Sequence, residues 1–320
     1  MSKVNKRVLA IDNGKMNMKG KSEEKEIYYL NKYSEGHTDL KGENTYNVTY
    51  DEKNYTVGNN AKNSDKLEGK ASEGHILCAL VAITHFLTPG KCEDDIVLMY
   101  GESVDMYFNE THKKDLKKKL EGTHKIIVDE EEYEFTIGLA VILPEGMGHI
   151  LQDLPNNMGK QYVIDIGGGT LNFLSIFNGL PNDEQSFSTE YGMNYLNGKV
   201  RREFKRRGLG NIKPDLADSY INRINDNTLP KNIQEIIEEC VINEQFKALD
   251  EELAIEGLNI HKQLEHYPLT CIGGGSELLS DLLETHYKTS NGKKATVVEA
   301  PLMANVRGFY TYGVAKYSTK

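Results

Sequence analysis

Two stretches of this sequence end an apolar run on an aspartate and place a glycine two positions further on. In Gln161 to Phe177, the run Tyr162-Val163-Ile164 ends at Asp165, breaks at Gly167-Gly168-Gly169-Thr170 and resumes as Leu171, Phe173, Leu174 and Ile176. The pattern predicts a strand, a tight glycine turn and a returning strand. Glycines let backbone N–H groups approach an anion with no Cβ in the way, and the Thr170 hydroxyl adds a further group, so this turn can cradle phosphate. Asp165, at the strand's end, is placed to offer Mg²⁺ a hard oxygen, directly or through its water shell. Glycine hairpins are also common structural features, so one such loop decides little.

The N-terminal stretch Val8 to Lys19 repeats the design: an apolar strand, Asp12, then Gly14, then an alternating strand carrying Asn17 and Lys19. Gly14-x-x-Asn17 is echoed by Gly169-x-x-Asn172. About 150 residues separate the copies, a domain length, which predicts two related halves that each offer one loop to a shared cleft. A third glycine turn, Gly273-Gly274-Gly275, leads from the strand Leu269 to Ile272 into a helix whose N-terminal amides suit an anion or the sugar end of a nucleotide. Pro144-Glu145-Gly146 precedes a short helix expected at about His149 to Leu154, where the Glu145 carboxylate can face the cleft and orient a water attacking a terminal phosphate.

Asp-x-Gly early, Asp-x-Gly-Gly-Gly-Thr midway and Ile-Gly-Gly-Gly-Ser late resemble the two phosphate motifs and the adenosine motif of the actin, sugar-kinase and heat-shock ATPase superfamily. Within it, Pro144 to Gly148 and the Asn243-Glu244-Gln245-Phe246 helix leading to Gly273-Gly274-Gly275-Ser276-Glu277-Leu278 look like the ParM-like bacterial actins of plasmid segregation. The resemblance spans essentially the whole chain. It implies an α/β actin-like ATPase fold of two ribonuclease H-like domains around a nucleotide cleft, each with a small inserted subdomain. The expected domains are residues 1–158 with 304–320, carrying an insertion at about 26–70, and residues 159–303, carrying an insertion at about 195–262.

It further implies ATP or GTP with Mg²⁺, held by Gly14, Lys15, Asn17 and Lys19 on one side and by Gly167, Gly168, Gly169 and Thr170 on the other. Gly192 and Gly273 to Gly275 would lie beside the sugar and base, Asp12 and Asp165 would position the metal and its waters, and Glu145 matches the family's catalytic glutamate. Slow hydrolysis would be coupled to polymerisation of the chain with itself, and a ParR-like adaptor would link the filament to plasmid DNA. Lys15 stands where relatives carry a small hydroxyl residue, and Asn172 stands for the usual aspartate. Both bear on nucleotide preference and rate. The runner-up is a small-molecule kinase of the same superfold, passing the γ-phosphate to a sugar or carboxylic acid.

Composition fits a soluble, cytoplasmic globular protein: 320 residues, 27% charged and 38% hydrophobic. The longest apolar segment, Ile76 to Leu87, is too short to cross a bilayer, and MSKVNKRV lacks a signal-peptide core, so no membrane partner is expected. Four cysteines with no paired spacing indicate neither a disulfide framework nor a zinc site. A net charge of −10 opposes direct binding to DNA, so any role there should pass through a second, basic protein. Further along the chain, a helix capped by Ser72 and reaching Leu87, a strand at Ile96 to Gly101, one continuous helix from Ile233 to about Glu256 and a closing helix from Asn305 to Tyr317 complete the expectation.

Overall fold

The computed structural model describes residues 5–62, 69–226 and 228–318. The chain divides into two compact units, Met1–Asp153 with Asn305–Lys320, and Leu154–Ala304. It thus passes from the first unit to the second once and returns once.

The first unit opens with β1 (Lys6–Asn13) and β2 (Asn17–Lys21), antiparallel, with Asp12 across from Lys19. Next come β3 (Glu26–Leu30), β4 (Tyr33–Glu35), β5 (Thr45–Tyr50) and β6 (Lys53–Gly58). The β5–β6 hairpin turns at Asp51 and Glu52, both at positive φ, the geometry that matches the twist of paired strands. Residues 63–68, part of the segment expected as an inserted subdomain, lie outside the described residues. The flanking strands continue one sheet, since β5 pairs with the later β8.

Ser72 caps α1 (Glu73–Thr84) by accepting from the His75 amide. Every residue from Gly74 to Thr84 is buried, so this helix is packed on all sides rather than along a single stripe. β7 (Gly90–Glu102) starts six residues before the expected strand. Its first half is polar because it is partly exposed, and a bulge between Lys91 and Asp95 interrupts its register with β9. α2 (Val104–Phe108), α3 (Glu110–Leu120), β8 (Gly122–Val128), β9 (Glu131–Pro144) and α4 (Gly148–Gln152) follow. The nine strands form one sheet in the order β3-β2-β1-β7-β9-β8-β5-β6-β4, with β1, β7 and β9 mutually parallel at its centre.

In the second unit β10 (Lys160–Ile166) and β11 (Leu171–Phe177) form the hairpin that repeats β1–β2. β12 (Leu180–Pro181), β13 (Phe187–Thr189), α5 (Met193–Arg206), α6 (Pro214–Ile221) and α7 (Lys231–Cys240) come next. The helix expected to run unbroken from Ile233 is interrupted by a π-helical turn, Val241–Phe246, before α8 (Lys247–Ile255). Such a wide turn re-aims side chains, and here Gln245 reaches the Tyr191 carbonyl with its Nε2 at 2.7 Å. α9 (Ile260–Gln263), β14 (Leu269–Ile272), α10 (Gly274–Leu278), α11 (Ser280–His286) and β15 (Thr296–Val297) complete it. The sheet runs β12-β11-β10-β14-β15, with β13 also on β11. Its hydrophobic core joins Tyr162, Ile164 and Phe173 to Leu196, Val200, Ile237 and Phe246 of the helices.

The closing helix, α12 (Ala304–Tyr317), packs in the first unit. Gly308 lies so close to the Gly148 backbone that an added Cβ would stand 1.8 Å from the Gly148 carbonyl oxygen. Asn305 Oδ1 accepts from the Gly146 and Gly148 amides at 3.0 and 3.3 Å, which fixes the turn carrying Glu145. No helix of the described residues is long and apolar enough to cross a membrane.

Candidate functional site

The C-terminal ends of parallel strands are where α/β sheets gather ligand groups, because loops diverge there and leave backbone and side chains facing outward. In the first unit β1 ends near Asp12, β7 at Glu102 and β9 just before Glu145, and the register sets Glu102 beside Pro144. All three carboxylates are buried. Two of them, Asp12 and Glu145, are joined by a residue that the sequence analysis did not single out, Lys70. Its Nζ lies 2.5 Å from Glu145 Oε1, 2.7 Å from the Gly101 carbonyl oxygen and 3.9 Å from Asp12 Oδ1, and it stands 5.9 Å from the Tyr100 ring. Lys19 donates to the other oxygen of Asp12 at 2.9 Å.

The electrostatics follow from burial opposed by charge. Burial pushes the Asp12 carboxyl up, but Lys19 and Lys70 more than offset it, and the group stays below its ordinary range. Burial also raises Glu145; Lys70 pulls it back and Asp12 pushes it up again, so its carboxyl ends above the usual value. Lys70 is desolvated yet held above its ordinary range by Glu145, Asp12 and Glu102. On the far side, His112 lies 2.8 Å from Glu102 Oε2, and that hydrogen bond holds the imidazole above its ordinary range.

Polar residues that the sequence analysis also missed hold the β1–β2 turn. Asn31 donates to Asn13 Oδ1 and to the Gly14 carbonyl, both at 2.6 Å, and Asn13 donates to the Tyr100 hydroxyl at 2.7 Å. Asn17 Oδ1 is buried with no hydrogen-bond partner among the described residues, a polar atom that a ligand could satisfy. Lys15 is exposed at the turn's tip.

In the second unit the remaining motif residues are brought together. The turn Gly167 to Thr170 closes through the Gly167 amide on the Thr170 carbonyl at 2.9 Å, as Gly14 closes on Asn17 at 3.1 Å. The two hairpins therefore share one register: Asp12 faces Lys19 where Asp165 faces Asn172. This sets Gly14-x-x-Asn17 against Gly167-x-x-Thr170, two residues earlier than the echo read from sequence. The start of α5 docks on this turn, the Met193 and Asn194 amides donating to the Gly167 and Gly168 carbonyls. Gly192 makes that approach possible, since a Cβ there would lie 2.8 Å from backbone atoms of Gly167, Gly169 and Thr170.

Gly273, at φ +89, fits against Asp165: a Cβ would stand 2.4 Å from Asp165 Oδ1 and 2.5 Å from the Ile166 carbonyl oxygen. Its amide donates to the Pro301 carbonyl at 2.9 Å. Gly275 serves close packing, where a Cβ would meet Ile166 Cγ2 at 2.3 Å. A Gly273→Ala replacement is expected to destabilise the second unit by about 1–3 kcal/mol, from forced overlap and a backbone angle that side chains resist. Urea unfolding checks it, and an unchanged midpoint would mean that Asp165 is free to move aside. A groove of about 480 Å³ on the first unit, lined in part by Thr49, Lys91, Lys125 and Tyr133, contains none of these residues.

Residues 10–148 match the family of N-terminal domains of actin-like proteins. No curated protein matches the chain. Among solved structures, an archaeal actin homologue, Ta0583, in complex with ADP is similar with a TM-score of 0.75 at 19% identity, over 97% of this chain and 100% of that one. The Alp12 filament structure is similar at 0.69 and 20% identity, over 98% and 100%. A 15-stranded ParM filament from Clostridium botulinum is similar at 0.70 and 16% identity, over 98% and 100%. The chain thus has an actin-like fold of two α/β units, and its N-terminal part matches the actin-like N-terminal domain. The same fold is shared with the ParM and Alp12 filament structures.

Proposed function

We propose that this protein is a nucleotide-dependent, filament-forming actin of the plasmid-segregating kind, hydrolysing ATP or GTP slowly and faster once polymerised. The observation that carries the reading is the buried Asp12–Lys70–Glu145 cluster, at the ends of the parallel strands, in a fold otherwise matched by filament structures. Structural ion pairs are usually surface features of small worth, whereas buried carboxylates with perturbed ionisation gather at sites of chemistry.

In this reading the turn amides from Gly14 to Asn17 and from Gly167 to Thr170 bind phosphate oxygens, and Asn17 Oδ1 gains the partner that it lacks. Asp12 in the first unit and Asp165 in the second would each offer a hard oxygen to Mg²⁺ or its water shell, and such an ion would neutralise phosphate charge. Glu145, with its raised carboxyl pKa, accepts a proton from a water whose oxygen attacks the γ-phosphorus as the bond to the bridging oxygen breaks. Lys70 holds Glu145 in place. The chain's net charge of −10 favours a basic adaptor of the ParR kind over direct contact with DNA.

The test is light scattering and sedimentation of the purified chain with Mg²⁺ and ATP or GTP. Nucleotide-dependent pelletable polymer is expected, with phosphate release following assembly. A chain that binds nucleotide but stays monomeric at every concentration would turn the reading toward a kinase of the same superfold.

A further inference from the structure

We propose that Asp250, His261 and His286 form a binding site for a divalent transition-metal ion of the zinc type, in the helical part of the second unit. The three residues come from three separate helices, α8, α9 and α11. One ligand atom from each lies within 4.8 Å of the others. Both imidazoles turn Nε2 toward the same oxygen, Asp250 Oδ2, His286 at 2.9 Å and His261 at 3.7 Å. A tetrahedral zinc with bonds near 2.0–2.1 Å holds its ligand atoms about 3.4 Å apart, so these two separations bracket what the ion requires.

Aromatic packing aims the rings. His286 lies 5.1 Å from the Phe246 ring and perpendicular to Tyr287 at 4.7 Å, while His261 stacks on Tyr287 at 5.6 Å. The π-helical turn ends at Phe246, so the wide turn helps to set this wall. A plain histidine–carboxylate pair accounts for His286 but leaves His261 unused, its Nε2 aimed at the same oxygen yet beyond hydrogen-bond reach.

Two imidazoles and a carboxylate suit zinc, cobalt or nickel, not magnesium or calcium, which prefer all-oxygen shells. The side chains of His261, Asp250 and His286 remain 43%, 28% and 20% exposed, so an ion can enter from solvent and keep a water in its fourth position. Bound there, it ties α8 and α9 to α11, closing a loop between Asp250 and His286, 36 positions apart. An ion that binds only this folded arrangement stabilises it by mass action.

The test is a zinc titration of metal-stripped full-length protein in competition with a chromophoric chelator, alongside thermal unfolding. One tight equivalent per chain is expected. His261→Ala removes a half-exposed ligand without opening the core, and His286→Gln keeps a hydrogen-bond donor for Asp250 but is a poor ligand. Each should weaken zinc binding by about tenfold or more and abolish the zinc-dependent rise in unfolding temperature. Cobalt should give a visible tetrahedral absorption with the parent and none with the variants. Equal affinity in the parent and both variants, or only weak multiple binding, would overturn the proposal.

Discussion

Replacing Lys70 by methionine should lower the stability of the first unit by about 3–5 kcal/mol, the usual loss when one partner of a buried ion pair is removed and the other charge stays behind. Lys70 is buried, and its ammonium serves Glu145, Asp12 and the Gly101 carbonyl at once. Methionine fills much of the same volume, so the loss reports charge rather than a cavity. Urea unfolding measures it, and a change below about 1 kcal/mol would show that the carboxylates are satisfied without the lysine. Adding Glu145→Gln to the variant should recover part of the loss, because the carboxylate closest to Lys70 is then neutral, whereas Asp12 keeps its pair with Lys19.

The pH dependence has a definite sign. The Lys70 pKa is raised above its ordinary 10.5 in the folded protein, so its contribution is fully present below 10.5 and fades only as pH climbs through the higher folded value. Asp12, held low, contributes stability above its ordinary 3.8 that is lost as the solution is acidified through the folded value. Between those limits Glu145 acts in the opposite sense: its carboxyl lies above the ordinary 4.5, so stability should fall as pH rises from that value through the folded one.

A Glu145→Gln variant should hydrolyse nucleotide about 10²–10⁴-fold more slowly, the range for loss of a general base. Glutamine keeps an oxygen to accept from Lys70, and Asn305 still holds the turn through the Gly146 and Gly148 amides, so the fold should survive. Nucleotide affinity should change little, because the amides of both glycine turns are untouched. Phosphate release in a single turnover is the measurement, with polymer persisting where the parent's disassembles. A rate within threefold of the parent would remove Glu145 from the chemistry and leave it as an anchor for Lys70.

The two glycine hairpins were legible because each is written in adjacent residues: an apolar run, an aspartate, and a glycine that closes on the residue three further along. Their register was misread by two positions because glycine repeats in Gly167-Gly168-Gly169 offer several alignments, and the cross-strand pairing Asp165 to Asn172 settles which is right. The juxtaposition of Asp12 and Glu145 could be expected only through resemblance, since they are brought together by parallel strands far apart in sequence. Glu102 carried a missed signal, as the run Ile96 to Tyr100 also ends near a carboxylate at the same edge of the sheet. Lys70 carried none: it follows a polar stretch without periodicity, and only tertiary packing buries it. The π-helical turn was hidden for a related reason, its apolar spacing being what an ordinary helix would show.

The paired hairpins also carry an evolutionary consequence. Their strand registers correspond from the aspartate to its cross-strand neighbour, yet that neighbour is a lysine in one copy and an asparagine in the other. Lysine and asparagine codons differ by a single base. A single-base change thus separates a carboxylate neutralised in an ion pair from one that faces an amide, with the strand register unchanged.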